Sequence, residues 1–304
     1  MSENTFIKKS SLSVVIASQN AARSAEKCLR EIENQLAEND FEIVVVDNST
    51  DKTAEIIARK FPNVKLVKAP SNKLIPELWK IGIDQSAGDL IALTTTHFVP
   101  AKNWIAAIFD AHESPFAGIG GAIEMDAQAG IVSRAIYFCR YSRYMLPFAQ
   151  ENADDFAADN ASYKRASLEK IENSTTNGFW EVFVHQAMIK ENMRLVLSPE
   201  IVVYHQDSFT FSGFMRQRFS HGKQFGDFRA ANISTAKRIA LILLSPLIPF
   251  LYIYRITKRV FSKKRNIGKY FTSLPVLFLF LVSWSIGEFC GYLAGTGKSC
   301  DYID

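Results

Sequence analysis

The apolar positions of the N-terminal half fall in short β-branched runs, separated by stretches with helical spacing. Ser13–Ala17 (SVVIA) reads as a buried strand ended by Ser18-Gln19-Asn20, after which Ala25, Cys28, Leu29, Ile32 and Leu36 recur along one helix face. Glu42–Val46 is a second strand. Its exit, Asp47-Asn48-Ser49-Thr50-Asp51, offers Ser49 or Thr50 as the cap of a helix holding Ile56, Ile57 and Phe61. Val64–Val67 is a third strand, and Leu74–Asp84 a helix with Pro76 tolerated in its first turn. After the turn Ala87-Gly88-Asp89, Leu90–Leu93 is a fourth strand. It runs into the polar knot Thr94-Thr95-Thr96-His97, then Phe98-Val99-Pro100 and a helix opening at Trp104. Ala117–Glu124 reads as a strand, Ala127–Arg140 as a helix, Gln150–Asp159 as an acidic loop, Phe179–Phe183 as a helix start and Glu200–His205 as a strand. This alternation with short links predicts an α/β chain with a mostly parallel sheet covered on both faces. Ligands gather outside the carboxyl ends of such strands, which puts the Thr94–His97 knot where a ligand belongs.

The pattern changes after Tyr204. Phe211–Gly226 alternates apolar and basic residues in an amphipathic way. Ile239–Tyr254 is apolar over 16 residues and holds Pro246 and Pro249, short of the roughly 20 residues that span a bilayer. Leu274–Ala294 is longer, interrupted by Glu288. Between them Arg255–Lys269 carries Arg255, Lys258, Arg259, Lys263, Lys264, Arg265 and Lys269 and no acidic residue, a composition suited to a membrane surface. Positive-inside logic places that loop in the cytosol. The consistent topology is 239–254 re-entrant or interfacial and 274–294 transmembrane, within a membrane-associated region 231–304 that follows an α/β domain over 10–230. An intramembrane acid faces protein or a wet cavity, and Gly287 and Gly291, four apart, allow a close helix approach. A buried hairpin of a soluble domain is the alternative.

Length and charge add limits. A chain of 304 residues holds one sizeable α/β domain and a further part, and a net charge of +4 gives no global field for nucleic acid. Cys28, Cys139, Cys290 and Cys300 show no C-x-x-C spacing, as expected of reduced thiols. MSENTFIKKSS has no apolar core of a secretory signal, so the N-terminal domain is expected in the cytosol. GxGxxG and G-x-x-x-x-G-K-[ST] are absent, which disfavours a dinucleotide enzyme or P-loop NTPase.

The stretch Gly88–Trp104 (GDLIALTTTHFVPAKNW) and the exit VVVDNSTDKT resemble the centre and a strand-end motif of family 2 glycosyltransferases with the GT-A fold. In that family an Asp-X-Asp-type motif holds a metal and a sugar nucleotide; here Thr95, Thr96 and His97 stand in its place. The resemblance implies a Rossmann-like GT-A domain that moves a sugar from a nucleoside-diphosphate sugar, with inversion, to a glycan or lipid-linked acceptor at the cytosolic membrane face. It implies nucleotide contacts from Ser18, Asn20, Asp47, Asn48, Thr95 and Thr96, with Asp47 on the nucleobase. Glu181 would be the catalytic base, since the acceptor hydroxyl must lose a proton as it attacks. Arg216, Arg218 and Lys223 would face the diphosphate. His97 and His205 would hold a divalent metal, Mn or Mg. The bland readings stand beside these: a capping turn at Asp47, a helix-dipole carboxylate at Glu181, and headgroup contacts for the α-helical arginines. The threonines leave two rivals open, a catalytically degenerate GT-A-like binding or scaffold protein and a metal-independent transferase.

Overall fold

The computed structural model describes residues 11–36, 41–206, 209–231 and 233–295; Cys300 and the N-terminal segment read for a signal lie outside them. The chain divides into two compact units, Met1–Ile123 with Phe148–Tyr204, and Glu124–Pro147 with His205–Asp304.

The first unit begins with β1 (Leu12–Ser18), α1 (Ala25–Glu33), β2 (Phe41–Asp47), α2 (Thr53–Lys60), β3 (Lys65–Lys68), α3 (Ile75–Asp84) and β4 (Leu90–Thr95). These strands lie in the order β3-β2-β1-β4, all parallel. Every residue of β1 and β4 is buried, which is why both read as unbroken apolar runs rather than alternations. Along the chain follow β5 (Phe98–Pro100), α4 (Trp104–His112), β6 (Gly118–Met125), α5 (Ile131–Tyr141), β7 (Glu151–Asn152), β8 (Asn160–Lys164), α6 (Arg165–Glu169), α7 (Glu181–Lys190) and β9 (Leu195–His205), of which α5 falls in the second unit. The sheet continues β4-β8-β6-β9-β5, with β7 on β9.

The expected parallel order is broken at β8, and β7 is antiparallel to β9. β8 is antiparallel to both β4 and β6, although Asn-Ala-Ser-Tyr-Lys carries no strand pattern. Its polar side chains are satisfied inside the core. Asn160 Nδ2 donates to Ala122 O (2.8 Å) and Ile201 O (3.0 Å), and its Oδ1 accepts from Trp104 Nε1 (2.9 Å). Ser162 Oγ lies 2.9 Å from His112 Nε2 and Tyr163 Oη 2.8 Å from His185 Nε2. The Asn160 carboxamide ties β8 to β6, β9 and α4.

The second unit contains α5 and the helices α8 (Phe211–Ala230), α9 (Thr235–Leu244), α10 (Ile248–Lys263) and α11 (Ile267–Ala294), with a 3-10 turn at Ser245–Leu247. The helix α8 therefore groups with the C-terminal helices rather than with the α/β domain expected to run to residue 230. Its packing on α11 is backbone against backbone. A Cβ added at Gly222 would sit 2.2 Å from Trp284 O, at Gly226 2.3 Å from Glu288 O, at Gly287 2.1 Å from Phe219 O, and at Gly291 2.1 Å from Lys223 O. The pair Gly287 and Gly291 thus meets a second pair at the same spacing on α8. Glu288, 2% exposed, accepts from Tyr292 Oη (2.6 Å) and Trp284 Nε1 (3.0 Å) and pairs with Arg229 (3.4 Å), so it faces protein.

Pro246 sits in the 3-10 turn and Pro249 in the first turn of α10, where a missing N–H removes no helical bond. The helical run therefore continues beyond the apolar segment read from sequence. Thr235–Lys263 (29 residues) and Ile267–Ala294 (28 residues) are both long and apolar enough to cross a membrane.

Candidate functional site

The carboxyl ends of β2, β1 and β4 stand side by side. Ser18 is opposite Asp47, and Ala17 opposite Thr95. The ladder continues one step past the strands: Asn48 N donates to Ser18 O (3.1 Å) and Thr96 N to Ala17 O (3.2 Å). Ser18, Asn48 and Thr94–His97 are thereby gathered on one edge of the sheet. Asn20 joins them from a left-handed backbone (φ 47°), a conformation Asn tolerates. Its N–H donates to Ser49 Oγ (2.8 Å), and its Oδ1 accepts from Thr50 N (3.1 Å) and Thr50 Oγ1 (3.2 Å).

Asp47 is 3% exposed. Its carboxylate accepts from Ser49 Oγ (2.6 Å) and Ser49 N (3.3 Å), so it does close its own turn. It also lines a cleft of about 520 Å³ together with Thr50, Asp51, Lys52 and Lys68. The first turn of α2 is capped by Asp51, not by Ser49 or Thr50: its Oδ1 accepts from Thr53 N (2.9 Å) and from Thr53 Oγ1. Burial pushes the Asp51 carboxyl up, but bonds from Thr53 and Ala22 outweigh it and hold the group below its ordinary value. The cleft is therefore lined by ionised acid and lysine together.

Four buried polar atoms on this edge have no hydrogen-bond partner: Ser18 Oγ, Asn48 Oδ1, Thr94 Oγ1 and Thr96 Oγ1. Buried polar groups are nearly always bonded. Four exceptions at neighbouring strand ends are a concentration of polar groups that the fold by itself does not satisfy. The remaining groups are occupied. Asn48 Nδ2 donates to Lys73 O (2.7 Å), Thr95 Oγ1 accepts from His97 N (3.4 Å), and His97 Nδ1 lies 3.4 Å from Ser24 Oγ.

The donor set at the knot does not fit a divalent cation. Mg and Mn are held chiefly through carboxylate and other oxygen ligands in multiple coordination. The turn offers threonine hydroxyls and one imidazole, and among the described residues no cluster of three His, Cys, Asp or Glu side chains forms.

Glu181 is the first residue of α7 and half-buried. Its approach is fixed by Gly178 (φ 118°) and by Phe179, buried, whose N–H donates to Pro76 O (2.7 Å) at the start of α3. One turn along α7, the buried His185 bonds Asp155 Oδ1 through Nδ1 (2.7 Å) and Tyr163 Oη through Nε2 (2.8 Å). This Asp155–His185–Tyr163 chain clamps α7 onto β8. Sequence reading missed it because its members lie far apart in the chain.

The other candidates belong to the second unit. His205, 2% exposed, packs its ring against Tyr141 at 5.2 Å. Arg218 is buried between Phe214 (4.9 Å) and Trp284 (5.3 Å) and donates to His221 Nδ1 (2.9 Å). Burial pulls its guanidinium down to about 10, and burial with the Arg218 and Arg140 charges pulls His221 down to about 3. Arg216 is exposed and Lys223 half-buried.

The family described as Glycosyl transferase family 2 matches residues 13–172, more than half of the chain. No curated protein matches. Among solved structures, the mannosyltransferase PcManGT from Pyrobaculum calidifontis, in complex with GDP-Man and Mn2+, is similar at 14% identity and a TM-score of 0.50, over 95% of this chain and 75% of that one. TarS 1-349 of S. aureus, in complex with UDP-GlcNAc, is similar at 14% identity and a TM-score of 0.47, over 90% and 81%. At this identity the likeness to the first concerns the fold.

Proposed function

This chain belongs to glycosyl transferase family 2, and from that premise we propose that it transfers a sugar from a nucleoside diphosphate to an acceptor hydroxyl at the cytosolic membrane face. It has the GT-A fold and is a glycosyltransferase. The observation that carries the donor site is the set of four unsatisfied polar atoms at the ends of β1, β2 and β4. Hydroxyl and carbonyl groups of this kind suit ribose and sugar hydroxyls. Asp47, lining the cleft, takes the nucleobase edge; Ser18, Asn20, Asn48, Thr95 and Thr96 surround the remainder of the nucleotide.

In the transfer, the acceptor oxygen bonds to the anomeric carbon as the bond from that carbon to the diphosphate breaks. Glu181 takes the acceptor's proton. Its place at the start of α7 leaves the carboxylate half-open to solvent, and attack from the side opposite the diphosphate inverts the anomeric centre. Because the donor set at Thr94–His97 does not fit a cation, the transferase works without a protein-held metal. The exposed apolar residues of the C-terminal helices, Leu243, Leu247, Phe250 and Tyr254 among them, and the basic stretch Arg255–Lys269 hold it at the membrane. That location favours a lipid-linked acceptor over a soluble glycan.

The test is calorimetric titration of the full chain in detergent with UDP, GDP and their sugars, with manganese and after EDTA. The expected result is one preferred nucleotide sugar, bound equally in both conditions. Binding abolished by EDTA would overturn the metal-free reading. No binding of any nucleotide would make the chain a binding scaffold with a lost donor site.

A further inference from the structure

Three arginines in the second unit converge without acidic company. Arg255 and Arg259 are one helical turn apart on α10, so their side chains share a face. Arg143 follows α5, two residues before Met145. The connection from α10 to α11 lies against that segment: Lys263 Nζ donates to Pro147 O (3.3 Å), Arg265 Nη1 to Leu146 O (3.4 Å), and Asn266 Nδ2 to Met145 Sδ (3.7 Å). This contact brings Arg143 beside α10, within electrostatic reach of Arg259, as is Arg255.

All three arginines are exposed. Among the described residues none of them forms an ion pair; Glu124 and Glu288 are already held by Arg265 and Arg229. Like charges one turn apart repel, so the cluster is unfavourable unless an anion joins it. Beside it, the next strip of α10 exposes Phe250, Leu251 and Tyr254. Tyr144 and Tyr252 flank the charges, with the Arg143 guanidinium 5.8 Å from the Tyr144 ring centre and that of Arg255 6.0 Å from Tyr252. A concentrated positive charge next to an apolar strip matches one kind of molecule, an amphiphile with an anionic head.

We propose that Arg143, Arg255 and Arg259 form a discrete binding site for the phosphate of an anionic phospholipid headgroup, with the acyl chains along the exposed strip of α10. This rests on the membrane contact proposed above and adds to it a lipid preference and a location. Convergence from two elements separates the site from the diffuse charge of Lys237, Lys264 and Lys269, which attracts any anionic surface.

The full chain in a nonionic detergent is mixed with equal phosphatidylglycerol and phosphatidylcholine, and retained lipid is counted by native mass spectrometry. Phosphatidylglycerol should be retained preferentially, and Arg143→Gln with Arg259→Gln should lower that preference by about fivefold per arginine. The charge-matched pair Lys170→Gln with Lys190→Gln, exposed and outside the C-terminal helices, should keep it. Unchanged preference in the arginine variant, or an equal loss in the lysine variant, would overturn the site. Retention of both lipids equally would overturn it while leaving the membrane contact standing, whereas no lipid retained would remove both. Displacement by millimolar inorganic phosphate would reassign the site to a free anion. Displacement by a polyprenyl phosphate at equal concentration would reassign it to a lipid-linked acceptor. Nucleotide binding, measured in the same detergent, is independent of all these outcomes.

Discussion

At the scale of single residues, the unsatisfied hydroxyl of Thr96 gives an expectation of two signs. Thr96→Val keeps the shape and removes a buried group that has no partner. Leaving such a group unbonded costs about 1–3 kcal/mol, so the variant should be more stable than the parent, by about 1 kcal/mol in the unfolding free energy read from urea denaturation. The same change should weaken donor binding by roughly tenfold, the worth of one hydrogen bond. Gain in stability with loss of affinity separates a ligand contact from a packing residue. Glu181→Gln keeps size and polarity and removes the base; turnover should fall about 100-fold or more with donor affinity intact. Full turnover in that variant would return Glu181 to the role of a helix-start carboxylate.

His112 makes a third case. It is buried beside Ser162, and burial first, then the charge of Lys164, pulls its pKa down from 6.5 to about 4. The folded state therefore refuses a proton that the unfolded chain accepts between those values. Stability falls as pH drops from about 6.5 to about 4, by at most roughly 3 kcal/mol. His112→Gln should flatten that part of the urea midpoint against pH; an unchanged slope would assign the loss to other groups.

At the scale of elements, the crossing of α8 and α11 has a measurable sign. Glycine to alanine in a helix interior normally stabilises by about 1 kcal/mol. At Gly291 the added Cβ would meet the Lys223 carbonyl oxygen at 2.1 Å, and at Gly287 the Phe219 carbonyl oxygen at the same distance. Backbone does not step aside as a flexible side chain does, so the helices must separate, and overpacking of this kind costs typically 1–3 kcal/mol. Gly291→Ala should lower the melting temperature despite its better helix propensity, and an unchanged or raised value would show that the two helices stand further apart. Gly268, with nothing near its added Cβ, is the control: Gly268→Ala should be neutral or stabilising.

Elements also show where sequence reading works. β1, β2 and β4 were legible because a strand buried on both faces needs an unbroken apolar run, and SVVIA, IVVV and LIAL supply it. β8 was not, because the polar groups of Asn160, Ser162 and Tyr163 are made tolerable only by Trp104, Ala122, Ile201, His112 and His185, all distant in the chain. For the candidate site, the strand-end residues were legible by position, since a parallel sheet fixes where its loops gather. What could not be read was which atoms of Ser18, Asn48, Thr94 and Thr96 remain unsatisfied. That depends on the neighbours each finds after folding. Nor could Arg218's aromatic sandwich be seen, because Trp284 lies 66 residues beyond it.

At the scale of the whole molecule, the proposed membrane contact is tested by what releases it. The exposed apolar side chains of the C-terminal helices include Leu243 at 72%, Tyr254 at 65%, Phe250 at 61% and Leu247 at 58%. Contiguous apolar surface of this kind marks an interaction face, and here two helices of spanning length carry it. If bilayer burial of that surface dominates, salt should not release the protein from membranes, because the hydrophobic effect is not screened; detergent should. If the basic residues of Arg255–Lys269 dominate, raising salt to about 1 M shortens the screening length to about 3 Å and should release it. The apolar term is the larger on physical grounds. Burying one such side chain is worth about 1.5–3 kcal/mol, against about 1 kcal/mol for each basic residue near an anionic surface. The expected outcome is retention through high-salt washes, checked by sedimenting membranes and probing both fractions. Release by salt alone would place the helices on the bilayer surface, held by charge.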